Sequence, residues 1–145
     1  MKEKLGPVSK KDMVFITIIF VALIVMTVFD TSVEILVDCR DDVLQITSPR
    51  LNIDIRHQDV MSLELVDMPL FGTKIGDSYE HEAYCAGTWE NNDWGRYTLC
   101  VIPGNAKCIL VEVENRSFVV FSCTTDEETI KLFDSYCNYR EALAA

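Results

Sequence analysis

The stretch Leu51-Asn52-Ile53-Asp54-Ile55-Arg56 alternates apolar and polar residues without a fault. Successive side chains of a strand point to opposite faces, so this order puts leucine and isoleucine on one side and asparagine, aspartate and arginine on the other. A helix would scatter the same residues around its circumference. The reading is a half-buried strand of an antiparallel sheet, with one face on a core and one in water.

The same period continues on both sides of this strand. Upstream, 32–39 alternates Val33, Ile35 and Val37 with Glu34, Leu36 and Asp38, and Arg40-Asp41-Asp42 makes a polar turn into a partner strand at 43–46. Thr47-Ser48-Pro49-Arg50 then separates that partner from 51–56. Downstream, 60–66 sets Leu63 and Leu65 against Ser62 and Glu64. The segment 67–93 loses the pattern, with Pro69, Gly72, Gly76 and Gly87 among polar and aromatic residues, and reads as a long loop holding an irregular strand near 82–90. Regular alternation returns at 95–102, 107–114 and 117–123, with turns at Pro103-Gly104-Asn105 and Asn115-Arg116, which predicts three consecutive antiparallel strands. Thr125-Asp126-Glu127-Glu128 is a capping box opening a C-terminal helix to about Leu143, and Ile130, Phe133 and Cys137 mark its apolar stripe.

The N-terminal part is of another kind. Residues 13–29, MVFITIIFVALIVMTVF, are interrupted only by Thr17 and Thr27, and as a helix they would reach roughly 25 Å. They read as a transmembrane helix, with Lys10 and Lys11 snorkelling at its start. No pair of small residues follows in an A-x-A-like arrangement, so the segment reads as retained rather than cleaved. Four lysines precede it and acidic residues follow, which predicts a basic cytosolic tail over 1–12, single-pass placement in the cell membrane and an extracytoplasmic domain over 32–143.

The 145 residues carry a formal charge of −10; residues 1–29 hold four lysines against Glu3 and Asp12, which leaves −12 for 30–145. An acidic domain repels phosphate backbones and anionic headgroups, so nucleic acid and phosphoinositides are excluded as partners. The six cysteines show no C-x-x-C and no zinc spacing. Cys100, Cys108 and Cys123 lie in strand-like apolar runs and read as buried free thiols, which weighs against an oxidising, outward location.

Several short strands closed by an amphipathic helix is a pleckstrin-homology-like layout, and the chain resembles the bacterial PH domain proteins over about residues 32–140. The resemblance is carried by 51–56 followed by Gln58-Asp59-Val60-Met61-Ser62-Leu63-Glu64-Leu65, by Met68-Pro69, by Gly87-Thr88-Trp89 with Trp94-Gly95-Arg96-Tyr97, and by Phe118-Val119-Val120-Phe121-Ser122 before the capping box. It implies one or more membrane helices ahead of a mainly-β split barrel of about seven antiparallel strands, capped by a C-terminal α-helix and without catalytic activity. Eukaryotic lipid-binding PH domains hold inositol phosphates on a basic cluster at the first hairpin. Here that hairpin turns at Arg40-Asp41-Asp42, while Arg50, Arg56 and His57 are scattered among Asp54 and Asp59, so phosphoinositide binding is not carried over. An open sheet edge remains as a place for a protein partner.

No G-x-S-x-G, G-x-G-x-x-G or P-loop occurs, so the expectation is no enzyme and no cofactor. His81 stands between Glu80 and Glu82 near Asp77; this reads as a solvated acidic loop rather than a cation site, and no metal is expected. Trp89 and Tyr97 read as core, and Trp94 as an exposed ring in a turn. A ligand or partner surface is expected at Trp94, Tyr79, Tyr84, His81, Glu80 and Glu82, within the loop 70–94. The function expected is a membrane-anchored interaction or scaffold domain. The alternative is an extracytoplasmic ligand-binding or sensor domain that uses the acidic and aromatic loop.

Overall fold

The computed structural model describes residues 9–29, 34–115 and 117–145, with side chains throughout except at 26–29. Residues 1–8 of the expected basic tail, residues 32 and 33 of the expected domain and Arg116 of the expected turn lie outside these. The chain divides into two units, Met1–Ser32 and Val33–Ala145.

The first unit holds the helix α1, Lys10–Phe29. Ser9 starts it as an N-cap would: its hydroxyl accepts from the Lys11 amide at 3.3 Å and its carbonyl from the Met13 amide at 3.0 Å. Among the described residues no helix is long and apolar enough to cross a membrane. The expected transmembrane helix over 13–29 is corrected accordingly. The membrane as partner, the single-pass placement and the cytosolic and extracytoplasmic assignments lose their basis with it.

The second unit is mainly β. Its described residues form nine strands: β1 Leu36–Cys39, β2 Val43–Thr47, β3 Asn52–Arg56, β4 Val60–Asp67, β5 Thr73–Glu80, β6 Cys85–Asn91, β7 Gly95–Val101, β8 Lys107–Val113 and β9 Ser117–Phe121, followed by the helix α2, Asp126–Ala144. The first three make an antiparallel sheet in the order β1-β2-β3, and the other six a sheet in the order β4-β8-β9-β7-β6-β5. The expected barrel of about seven antiparallel strands is thus corrected to two sheets, one of them mixed.

Two departures account for this. First, β9 inserts between β7 and β8 and runs parallel to β7, so 95–101 and 107–113 are not hairpin partners despite the Pro103-Gly104 turn. Second, the expected loop contains the whole of β5. Its alternation is broken by a bulge between Ile75 and Tyr79, where Gly76 has φ +64°. Ser78 fills the gap: its hydroxyl accepts from the Thr88 amide at 2.7 Å and lies 2.7 Å from the Ile75 carbonyl and 3.0 Å from that of Thr88. Gly87 faces it at φ +133°, and a Cβ there would stand 2.5 Å from the Ser78 hydroxyl oxygen.

The centre of the six-stranded sheet is buried on both faces, as the apolar runs of β7, β8 and β9 require. On one face Cys100, Ile109, Val111, Val119 and Phe121 pack with Ile35, Leu44, Ile46 and Ile55 of the smaller sheet region and with Tyr136 of α2. On the other, Trp89, Tyr97, Leu99, Val101, Cys108 and Val120 form a second cluster, covered in part by Met68 and Phe71. Trp89 and Tyr97 are therefore core residues, and the Tyr97 hydroxyl donates to the Phe71 carbonyl at 2.6 Å.

The capping box of α2 is formed in both directions, Thr125 accepting from the Glu128 amide and Glu128 accepting from the Thr125 amide. Of its expected apolar stripe Phe133 packs on the core, and the rest of the face is corrected. Thr129 and Tyr136 are buried, and Leu132, Phe133 and Tyr139 pack against the core, whereas Ile130 is exposed. The buried stripe thus follows 129, 132, 133, 136 and 139, one position round from the run that starts at Ile130.

Candidate functional site: an open strand edge beside the C-terminal helix

The residues expected to form one ligand surface fall in two places. Tyr79, His81 and Tyr84 come together where β5 ends and β6 begins: the Tyr79 and Tyr84 rings are 4.7 Å apart and those of Tyr79 and His81 6.2 Å. The Arg50 guanidinium caps the group, 4.3 Å from the Tyr79 ring centre. Burial raises the Tyr84 hydroxyl pKa, with Arg50 opposing. His81 is engaged in its own turn, Nδ1 accepting from the Ala83 amide at 3.1 Å. Glu80 is 4.0 Å from Lys74. Glu80 and Glu82 line a shallow depression with His81, Cys85 and Phe71. Among the described residues no group of three or more potential metal ligands converges.

Trp94 belongs elsewhere. It sits in the β6–β7 turn, at the opposite end of β6 from Tyr84, roughly 20 Å along the strand. The Asn91 side chain accepts from the Asp93 and Trp94 amides and shapes that turn. The indole is half-buried, 5.2 Å from the Tyr97 ring and 6.3 Å from that of Phe118, so it closes the second core cluster rather than standing free.

A different feature has the makings of a site. The smaller sheet and α2 lie side by side on one face of the larger sheet, and α2 packs against β8 and β4. Between β1 and α2 remains an open groove of about 350 Å³. Its walls are Glu34, Ile35, Leu36 and Val37 on one side and Thr124, Glu128, Lys131, Leu132 and Ser135 on the other, with Cys123 between them.

The groove runs along a free strand edge. The Arg40 amide donates to the Val43 carbonyl, so 40 and 43 are a hydrogen-bonded pair, and in an antiparallel ladder such pairs alternate with non-bonded ones. Asp38 and Leu36 therefore bond to Gln45 and Thr47 of β2, while the backbone groups of Val37 and Cys39 point away from the sheet. Among the described residues no strand pairs with that edge. The outer edge of β5, by contrast, is interrupted by the Gly76 bulge, a device that discourages added strands.

A polar staple holds the far end of the groove. His57 Nε2 is 2.7 Å from the Arg40 carbonyl, which can only accept, so Nε2 carries the proton. In the tautomer with its proton on Nε2, Nδ1 accepts from the Tyr136 hydroxyl at 2.7 Å. Burial pushes the Tyr136 pKa up to about 12, which keeps that donor protonated. The Tyr139 hydroxyl donates to the Asp41 carbonyl, and the His57 amide to that of Asp42. The β1–β2 turn is thereby tied to α2. Neither the tyrosines nor the histidine stood out in the sequence as a group, because they are separated by 79 residues and only the fold joins them.

All six cysteines are free, and Cys85, Cys100, Cys108 and Cys123 are buried. Burial raises every thiol, to about 12 at Cys108 and about 11 at Cys123. Cys39 is exposed and Cys137 partly so, while Cys85, Cys100 and Cys108 sit inside the sheet core.

Comparison with protein-family models, with curated proteins and with solved structures gave no match to this chain.

Proposed function

We propose that the domain is a non-catalytic interaction module that takes an extended segment of a protein partner onto the free edge of β1, in the groove beside α2. The observation that carries this is the outward direction of the Val37 and Cys39 backbone groups next to an apolar trough. Main-chain bonding along such an edge supplies affinity, and the side chains lining the groove supply selectivity. Ile35, Val37 and Leu132 offer an apolar wall, and α2 limits how wide an added strand can be.

The test is to select octapeptides from a random display library against the full chain and map them by amide chemical shifts. Selected peptides should shift the Val37 and Cys39 amides and slow their hydrogen exchange. Peptides that map instead to the Trp94–Phe118 surface would refute the proposal.

A further inference from the structure

We infer that the strand this groove takes is an alternating apolar and basic one, with its basic residues at the end where β1 begins; the inference rests on the strand-addition reading. The lining residues give the direction of the walls. Glu34 to Val37 face Thr124 to Leu132, whereas Cys39 and Arg40 face Ser135, Tyr136 and Tyr139, so β1 and α2 run the same way. Charge is unevenly placed along them. The beginning carries Glu34, exposed at the mouth, and Glu128, which commits one oxygen to the Thr125 amide. Further along, Asp38 is neutralised by Arg40 at 2.9 Å. Among the described residues that line the wider part of the groove, Lys131 is the one cation against the two carboxylates Glu34 and Glu128.

The floor alternates in the manner of a strand's partner, since Ile35 and Val37 turn toward the core and Leu36 stands 55% exposed. An added strand would therefore present apolar residues to Ile35, Val37 and Leu132 and polar ones to Glu34 and Glu128. The wider field acts in the same sense, because −12 on residues 30–145 draws a basic segment in and repels an acidic one. A second copy carries the same −12 and is disfavoured as occupant for that reason.

Three octapeptides test this on the full chain: alternating valine–lysine, valine–serine and valine–glutamate, followed by fluorescence anisotropy and by amide shifts. The valine–lysine peptide should bind tightest and shift the Val37 and Cys39 amides. Glu34→Gln with Glu128→Gln, the latter still able to complete a capping box, should weaken it roughly 5-fold. Equal binding of the valine–glutamate peptide at the same amides, or no effect of the double variant, would overturn the basic assignment and leave strand addition standing. If none of the three peptides moves those amides, strand addition fails and the inference with it. Self-association through β1 in sedimentation, lost in Val37→Pro, would overturn it in favour of a second copy.

Discussion

Replacing His57 with phenylalanine isolates the staple that closes the groove. Phenylalanine keeps the ring contacts, 5.3 Å to Tyr136 and 5.1 Å to Tyr139, but has neither nitrogen. Tyr136 is 2% exposed, so its hydroxyl would be left buried without its acceptor. Such an orphaned group costs about 1–3 kcal/mol. The Arg40 carbonyl is at an exposed residue and regains water, so its loss adds less. His57→Phe should thus destabilise by about 2 kcal/mol in urea denaturation at pH 8. Tyr136→Phe leaves only a half-exposed imidazole nitrogen and should lose about 1 kcal/mol. The double variant should lose little more than His57→Phe alone, a coupling of about 1 kcal/mol. Hydrogen exchange at Arg40, whose amide bonds Val43, should quicken in His57→Phe as the turn loosens. Single losses that add within about 0.5 kcal/mol would refute the pairing deduced for the ring nitrogens.

Two further outcomes are expected. Gly87→Ala sets a Cβ 2.5–2.9 Å from Ser78, backbone included, at φ +133°, and should lower stability by about 2–4 kcal/mol; a thermal midpoint within a degree of the parent would contradict the bulge geometry. Tyr97 and Cys108, held protonated to about 12, and Cys123, to about 11, ionise in the unfolded chain near their ordinary values of 10.0 and 9.0. Their stabilisation is complete below about pH 9 and is lost as pH rises through 9 to 12, so the thermal midpoint should fall steadily from pH 9 to 11. A midpoint that stays level or rises over that interval would show that these groups are not buried as described.

Much of the sheet was legible because its signal is local. Residues 51–56 and 60–66 alternate and correspond to β3 and β4, and 43–46, read as the partner across the Arg40-Asp41-Asp42 turn, corresponds to β2. The Thr125–Glu128 box marked the start of α2 for the same reason. What escaped is non-local or hidden by chemistry. Nothing in the order of residues says that β9 comes between β7 and β8, since Pro103-Gly104 looks like any hairpin turn and the pairing of Leu99 with Val120 is settled by burial on both faces. β5 was obscured because Gly76, Asp77 and Ser78 break the period-two rule, and the missing ladder bonds are supplied by a serine side chain. The buried face of α2 was misplaced because Thr129 and Tyr136 bury polar atoms that the core satisfies, Thr129 accepting from the Cys123 amide. The expected surface gathered aromatics close in sequence, yet Tyr84 and Trp94 lie at opposite ends of β6. The groove was invisible at that level, being defined by the absence of a strand beside β1.

The central claim is that the outward backbone of β1 receives a strand, and Val37→Pro tests it most directly. The Val37 amide makes no bond to β2, so proline there removes a donor from the edge and none from the ladder. Measured by fluorescence anisotropy with the valine–lysine octapeptide, affinity should fall at least about 10-fold while the urea midpoint stays close to the parent's. Asp38→Pro, which breaks the ladder to Gln45, should instead lower the urea midpoint itself. Unchanged affinity in a folded Val37→Pro protein would contradict the account.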